Sequence, residues 1–120
     1  MNKDCICRIR KVYRAIASFE SELQKKLGLN INETVLLCLV SDKENISCGE
    51  ISETMELSNS NVSKVVASLE KNGYIRRKLC KDDKRCMRFK ITKKGEELLE
   101  KMSCEKLQLP DNLTKLSKEV

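Results

Sequence analysis

Residues 58–91 read SNSNVSKVVASLEKNGYIRRKLCKDDKRCMRFKI, and the period of the apolar residues changes within this stretch. From Val62 to Leu69 the apolar residues recur every three or four positions, which is the period of a helix, and Gly73 follows as a stop signal. From Ile75 onward apolar and charged residues alternate, which is the period of a β-strand. The stretch therefore predicts a short helix that leads into a β-hairpin.

The predicted helix has an outer surface suited to hydrogen bonding. Ser58 is a preferred N-cap residue, and the side chains that face away from the apolar stripe near the helix start are small or polar. A recognition helix offers such groups to base edges in the major groove of DNA, whereas a merely solvated helix carries mostly Glu and Lys. The residues predicted to contact DNA, rather than only water, are Ser58, Asn59, Ser60, Asn61, Ser63 and Lys64.

The alternation also predicts the register of the hairpin. Pairing Ile75 with Ile91 and Leu79 with Met87 puts most of the apolar residues on one face of the two strands. Residues 81–84 then form the tip, where a basic side chain is able to reach the minor groove of DNA.

The positive charge of the chain is concentrated in this segment. The formal net charge is +6, and residues 74–95 alone contain ten basic and two acidic side chains. Such clustering favours a polyanionic partner, most often nucleic acid, and the alternative is a solvated surface hairpin. Arg77 has a second interpretation, because it lies opposite Phe89 and can extend along that ring. The basic residues predicted to contact DNA are Arg76, Arg77, Lys78, Lys81, Lys84, Arg85 and Arg88.

A long amphipathic helix is predicted before this segment. Apolar residues from Ile6 to Leu27 form a helical stripe about six turns long, and Gly28 is its natural stop. Because polar residues separate the stripe, this helix needs an apolar partner along most of its length. A second copy of the chain is the expected partner.

Further helix starts are recognisable from their capping residues. Asn30, with an acidic residue three positions later, precedes the apolar run 35–40, which predicts a buried helix. Ser47 and Glu50 form a capping box that opens a helix of barely two turns. Thr92 is predicted to cap the last long helix. The residues of that helix predicted to face inward are Leu98, Leu99, Met102 and Leu109.

Two short helices joined by a tight turn, followed by a charged hairpin, have the order of a winged helix-turn-helix. The predicted fold is mainly α with a small β-hairpin wing, in a single domain over residues 1–120. Residues 30–94 are predicted to form the winged helix-turn-helix part. Residues 3–27 and 95–120 are predicted to form N- and C-terminal dimerisation helices that flank it.

The composition argues against an enzyme. Histidine is absent, which excludes Ser-His-Asp and Cys-His catalysis and every metal site that contains histidine. We therefore expect no cofactor and no metal. No apolar stretch approaches the roughly 18 residues of a membrane span, and the N-terminal residues lack the apolar core of a secretory signal. The expected location is the cytoplasm.

Two motifs resemble those of the multiple antibiotic resistance regulator (MarR) family. Residues 82–95, DDKRCMRFKITKKG, resemble its wing signature, an Asp-x-Arg tip and a strand followed by Leu/Ile-Thr-x-x-Gly, and residues 60–75, SNVSKVVASLEKNGYI, resemble its recognition helix. The resemblance implies a dimeric bacterial transcription regulator in which Arg85 enters the minor groove and Asp83 orients it. The family usually has a fuller last helix beyond the position of Pro110, so the extent of the dimer contact is left open. Because the chain has few aromatic residues, a pocket for a phenolic ligand is not assumed, and the identity of a small-molecule inducer is left open.

Seven cysteines suggest a redox hypothesis. None of them forms a Cys-x-x-Cys motif, so a zinc site is not expected. Cys80 and Cys86 are opposite one another in the predicted register and could form a cross-strand disulfide. Cys5 and Cys7 lie at the start of the first helix, near the reactive cysteine of peroxide-sensing relatives in the family the chain resembles. The alternative is that all of them are reduced and inert.

Together these features predict a transcription regulator. The expected function is binding of a pseudo-palindromic duplex operator as a homodimer, most simply as a repressor. The alternatives are a winged-helix protein-interaction module that does not bind DNA and a thiol-based redox-sensing regulator. Salt-dependent binding to duplex DNA distinguishes the operator-binding regulator from the protein-interaction module.

Overall fold

The computed structural model describes residues 2–79 and 87–104 and divides the chain into two compact units. The described part of the first unit is residues 2–30, and the second unit is Ile31–Cys104. No helix in the described ranges is long and apolar enough to cross a bilayer. The predicted disulfide pair Cys80 and Cys86 lies outside the described residues.

The first unit contains the long helix α1 (Lys3–Leu27). The side chain of Asn2 caps its start by accepting a hydrogen bond from the Cys5 backbone N–H at 2.8 Å. At its end Gly28 adopts φ +72° and donates its backbone N–H to the carbonyl of Gln24 at 2.9 Å. A left-handed residue after the last turn is the usual way for a helix to end, and glycine adopts it without strain. The predicted helix and its stop are confirmed.

The second unit contains four helices and a small sheet within its described residues. Its elements in chain order are α2 (Ile31–Asp42), β1 (Ile46–Ser47), α3 (Cys48–Met55), α4 (Asn59–Lys71), β2 (Ile75–Leu79), β3 (Met87–Ile91) and α5 (Lys93–Cys104). The strands form an antiparallel sheet in the order β1-β3-β2. The mainly helical fold with a β-hairpin wing (the wing, strands β2 and β3 with the residues that join them) is as predicted.

The register of the wing is the predicted one, with Ile75 opposite Ile91 and Leu79 opposite Met87. The sequence did not reveal β1, in which Ile46 pairs with Phe89. A strand of two residues is too short to show an alternation of apolar and polar side chains, so only its pairing with β3 identifies it.

The core of the second unit lies between its helices and one face of the sheet. Leu36, Leu37 and Val40 of α2 are fully buried, as predicted for the apolar run of this helix. Val35 is 47 % exposed, so α2 is not buried all round. The remaining core side chains of this unit are Ile46, Ile51, Val62, Val66, Leu69, Ile75 and Phe89.

The start of α5 is tied to the end of α4. Thr92 caps α5 as predicted, because its hydroxyl oxygen accepts the Gly95 N–H at 3.1 Å. The same hydroxyl lies 2.6 Å from the Gly73 carbonyl and 3.0 Å from the Tyr74 carbonyl. Of the inward-facing residues predicted for α5, Leu98, Leu99 and Met102 are half-buried, and Leu109 lies outside the described residues.

Candidate nucleic-acid interface

The turn between α3 and α4 is short and closed by side chains. Glu56 ends α3 in the left-handed region at φ +53°, and the Ser52 hydroxyl donates to the Leu57 carbonyl at 2.6 Å. Ser58 then caps α4 by accepting the Asn61 backbone N–H at 3.2 Å. The predicted N-cap is confirmed, and the two helices form a helix-turn-helix.

Helix α4 has one buried face and one exposed polar face. Val62, Val66 and Leu69 are buried, which anchors the helix to the core. The predicted DNA-contact residues of this helix are all exposed, and they are Ser58, Asn59, Ser60, Asn61, Ser63 and Lys64. The structure therefore brings them together at the N-terminal end of α4. The Ser58 hydroxyl is already used by the cap.

A buried carboxylate holds α4 against α2. Glu33 is only 8 % exposed, and its Oε2 accepts the Ser68 hydroxyl at 2.6 Å. A buried carboxylate is tolerated only when it is hydrogen-bonded, so this contact specifies how α4 lies on α2. In the sequence Glu33 is an acidic residue of the first turn of α2, and its partner is thirty-five positions away. Sequence reasoning had no signal for this link.

The wing has an apolar inner face and a basic outer face. Ile75 and Phe89 are buried on the inner face. On the outer face the register puts cations directly opposite one another, Arg76 with Lys90 and Lys78 with Arg88. Like charges at opposite positions destabilise a sheet, so the exposed cations of this face, Arg76, Lys78 and Lys90, are suited to anions that lie across it. A shallow depression of about 300 Å³ is lined by three cations of this face, Arg76, Lys78 and Lys90, and by Arg77, which the register places on the face of Phe89.

Two of the arginines predicted to contact DNA have partners within the protein. The Nε of Arg77 donates to both carboxylate oxygens of Glu70, at 2.8 and 3.0 Å. The alternative in which Arg77 extends along the Phe89 ring stays a prediction. The NH1 of Arg88 donates to the Asn45 carbonyl at 2.8 Å and to Glu50 Oε1 at 3.1 Å. Their role as phosphate contacts remains a prediction.

Glu50 stays ionised in this arrangement. The Ser47 hydroxyl donates to Glu50 Oε1 at 3.0 Å and accepts the Glu50 N–H at 3.2 Å, which confirms the predicted capping box. The hydrogen bond from Ser47, followed by the smaller effect of Arg88, lowers the pKa of the Glu50 carboxyl. The carboxylate form is therefore available to the Arg88 guanidinium near neutral pH.

The other predicted site residues are those of the wing tip and the cysteines. Lys81, Asp83, Lys84 and Arg85 lie outside the described residues, as do Cys80 and Cys86. Cys5 and Cys7 are exposed free thiols on α1, in the first unit. Cys38 and Cys48 are half-buried, and burial raises the pKa of each thiol. The redox hypothesis stays a prediction. The described residues contain no cluster of three or more potential metal ligands.

Comparison with known families identifies this arrangement. The model of the MarR family matches residues 29–87, a range that runs from just before α2 into the first residue of β3. This chain belongs to the MarR family. The match includes the helix-turn-helix and most of the wing, so it agrees with the resemblance carried by residues 60–75 and 82–95. MarR-family proteins are transcription regulators and not enzymes, as the composition predicted.

Curated relatives and solved structures agree with the family. The transcriptional repressor MprA of Escherichia coli K12 is 33% identical over 73 residues, which are 58% of this chain and 42% of MprA. The regulator Hpr of Bacillus cytotoxicus is 35% identical over 99 residues, which are 79% of this chain and 54% of Hpr. The matched region thus spans about half the length of these curated relatives.

Two solved structures of transcriptional regulators have the same fold. Sco3205 of Streptomyces coelicolor, a MarR family transcriptional regulator in complex with DNA, superposes with a TM-score of 0.71 at 26% identity, over 86% of this chain and 71% of that one. The regulator BldR of Sulfolobus solfataricus superposes with a TM-score of 0.70 at 26% identity, over 100% of this chain and 88% of that one. The predicted winged helix-turn-helix is confirmed.

Proposed function

We propose that this MarR-family chain binds duplex DNA as a homodimer and regulates transcription, most simply as a repressor that occupies a promoter. The observation that carries the proposal is the exposed polar N-terminal end of α4, in the same compact unit as the basic outer face of the wing. The DNA complex of Sco3205 and the repressor name of MprA support the proposal by similarity.

In the proposed complex, α4 enters the major groove. Ser60, Asn61 and Ser63 have hydrogen-bonding side chains on the exposed face, and an asparagine can bond both N6 and N7 of adenine. The N-terminus of α4 carries the positive end of the helix dipole, which favours a nearby phosphate. Base edges therefore supply specificity at this end of the helix, and backbone contacts supply its position on the duplex.

The wing supplies the second contact. In the proposed complex Arg85 enters the adjacent minor groove, with Asp83 as its orienting partner. Arg76 and Lys78 on β2 add phosphate contacts, because their side chains are exposed on the basic face. Each phosphate that a cation neutralises releases counterions, so these contacts make the affinity depend on salt concentration.

Two copies are needed for a useful affinity. One short helix and one wing make a limited contact with DNA, whereas a twofold dimer doubles it at two half-sites about 34–36 Å apart. A twofold dimer reads a pseudo-palindromic operator for the same reason. We assign the dimer contact to residues 3–27 and 95–120, which include α1 and most of α5.

Binding to duplex DNA and its dependence on salt test the proposal. The probe is the duplex selected by the protein from a random pool, and the variant is Lys64→Gln on the exposed face of α4. We expect the slope of log K against log salt to become less steep by about one unit for a lost phosphate contact. Lys43→Gln, in the loop after α2, is the matched control and should leave the slope unchanged. Failure of the unaltered protein to bind any duplex in dilute buffer would favour the interaction-module alternative.

Arg85→Ala tests the minor-groove contact. We expect binding to weaken by about 10-fold and the preference for A·T pairs flanking the half-sites to disappear, because a narrow minor groove attracts an arginine most strongly. Lys84→Ala removes the neighbouring cation and should reduce affinity without changing base preference. A selection on random DNA with each variant measures both effects. An Arg85→Ala protein that keeps its flanking preference contradicts the assignment.

A further inference from the structure

Each strand of the wing is held by an arginine to a different helix of the helix-turn-helix. On β2, Arg77 bonds Glu70 of α4. On β3, Arg88 bonds Glu50 of α3. Backbone pairing and the apolar inner face also fix these strands, as do the bond from Arg88 to the Asn45 carbonyl and the bond from the Thr92 backbone N–H to the Tyr74 carbonyl. The two ion pairs therefore add side-chain contacts between the wing and the two helices, Arg77 to α4 and Arg88 to α3.

The Arg77 pair connects three elements. Its Nε lies 2.8 and 3.0 Å from the two carboxylate oxygens of Glu70, while its NH1 lies 3.2 Å from the Met87 sulfur on β3. Arg77, a residue of β2, thus contacts both α4 and β3 through its guanidinium. The Glu70 side chain is 24 % exposed, which limits the screening of this pair by solvent.

The Arg88 pair is part of a larger hydrogen-bonded group. Arg88 pairs with Ser47 through the backbone of β1, and its side chain bonds the Asn45 carbonyl and Glu50. Ser47 and Glu50 also cap α3. The same few residues therefore begin α3, form β1 and hold β3. A change in any of them alters the place where the wing joins the helix-turn-helix.

We propose that Arg77 and Arg88 are positioning residues that orient the wing for DNA binding through Glu70 and Glu50, and that they are not themselves phosphate contacts. This inference rests on the proposed function. Binding of α4 and the wing tip to one duplex requires a defined angle between them, and a preformed angle avoids the entropy loss of ordering the wing on binding. In this proposal Glu50 and Glu70 increase the affinity for DNA although both are negatively charged, because they hold the two arginines that orient the wing.

Electrostatics alone gives the opposite expectation, and this difference makes the inference testable. Removing a carboxylate next to DNA reduces repulsion, so Glu50→Gln and Glu70→Gln would strengthen binding if the arginines were simple phosphate contacts. Positioning instead requires both variants to weaken it. The matched control is Glu53→Gln, which removes the same charge from an exposed position on α3.

The experiment measures affinity, salt slope and base preference on the selected duplex. We expect Glu50→Gln and Glu70→Gln to bind about 3- to 10-fold more weakly, as for loss of one partly exposed ion pair in each protomer, and Glu53→Gln to bind as tightly as the unaltered protein. The salt slope should stay constant because no phosphate contact is lost. Discrimination at the flanking base pairs should fall, while discrimination at the pairs read by α4 should persist, a pattern that general destabilisation does not produce.

The arginine variants complete the test. Arg77→Gln should weaken binding to the same extent as Glu70→Gln, and the double variant should be no weaker than either, because both lose one interaction. A salt slope less steep by about one unit in Arg77→Gln or Arg88→Gln identifies a phosphate contact and overturns the inference. Tighter or unchanged binding by both Glu50→Gln and Glu70→Gln overturns it as well. Glu70 is not part of a cap, so Glu70→Gln remains informative if Glu50→Gln destabilises α3.

A measurement without DNA separates this inference from the proposed function. Trypsin cleaves after the many basic residues of the wing, and we expect faster cleavage there in Glu70→Gln than in Glu53→Gln, since the released strands sample more open conformations. If the unaltered protein binds no duplex, the proposed function fails. Independently of DNA binding, equal cleavage rates in Glu70→Gln and Glu53→Gln would show that the Glu70 ion pair does not hold the wing. If the protein binds DNA but the variants bind equally well, only the positioning inference fails.

Discussion

Replacing Gly95 with alanine should lower the free energy of unfolding by about 3 kcal/mol. For a chain of this size that corresponds to a fall in Tm of about 10–15 °C. The reason is the close approach of α5 to the end of α4. A Cβ on residue 95 would clash with the backbone oxygen of Tyr74 and would lie 2.7 Å from Cγ1 of Ile91. The first of these atoms belongs to the backbone and cannot rotate away.

The surroundings of Gly95 cannot easily relax. The Tyr74 carbonyl accepts the Thr92 backbone N–H at 3.0 Å and lies 3.0 Å from the Thr92 hydroxyl, so moving this oxygen disturbs the cap of α5. Ile91 belongs to β3 and is paired with Ile75. The glycine of the Thr-x-x-Gly motif is thus required for packing and not for backbone freedom.

Gly49→Ala is the matched control for this expectation. A Cβ there would meet only the Ser47 hydroxyl oxygen, at 4.0 Å, so the added methyl group has space. Alanine also favours a helix over glycine, by as much as about 1 kcal/mol, so α3 should be unchanged or slightly stabilised. Thermal and denaturant unfolding followed by circular dichroism compare the two variants. A Gly95→Ala protein as stable as the Gly49→Ala protein would refute the packing argument.

Introducing a charge into the exposed stripe of α1 should abolish the proposed dimer and lower affinity for the selected duplex by about 100-fold or more, because the second half-site contact would no longer be intramolecular. Ile6, Ile9, Tyr13 and Ile16 share one face of α1 and are 55%, 56%, 72% and 40% exposed in the single chain. A continuous apolar surface of this kind is characteristic of a protein interface. The variant is Ile9→Glu.

Ser18→Glu provides the comparison for Ile9→Glu. Ser18 is exposed on the opposite side of α1, half a rotation from Ile9, and the new carboxylate contributes the same charge. Light scattering at micromolar concentration should show a dimer for the unaltered protein and Ser18→Glu, and a monomer for Ile9→Glu. A monomeric unaltered protein, with or without DNA, would contradict the proposed dimer. So would an Ile9→Glu protein that remains dimeric.

Features that depend on neighbours in the chain were predictable. The stop of α1 at Gly28, the start of α4 at Ser58 and the start of α5 at Thr92 were predicted correctly. Each follows from local backbone and side-chain chemistry. The register of the wing follows from a period of two, since a shift by one residue would expose Ile75 and Phe89. The polar face of α4 was identified for the same reason, because helical period alone determines which residues share a face.

Periodicity and capping residues therefore determined the helices, the wing and the face of α4 proposed to read DNA. The charge distribution followed directly from the positions of the basic and acidic residues. Only the tertiary structure decided which arginines have internal partners, that Glu33 is buried beside Ser68, and that Gly95 lies against Tyr74. These contacts join residues from seven to forty-three positions apart. Such pairings depend on how complete elements pack, and a charged side chain in a linear sequence carries no mark of whether its partner is a carboxylate or a phosphate.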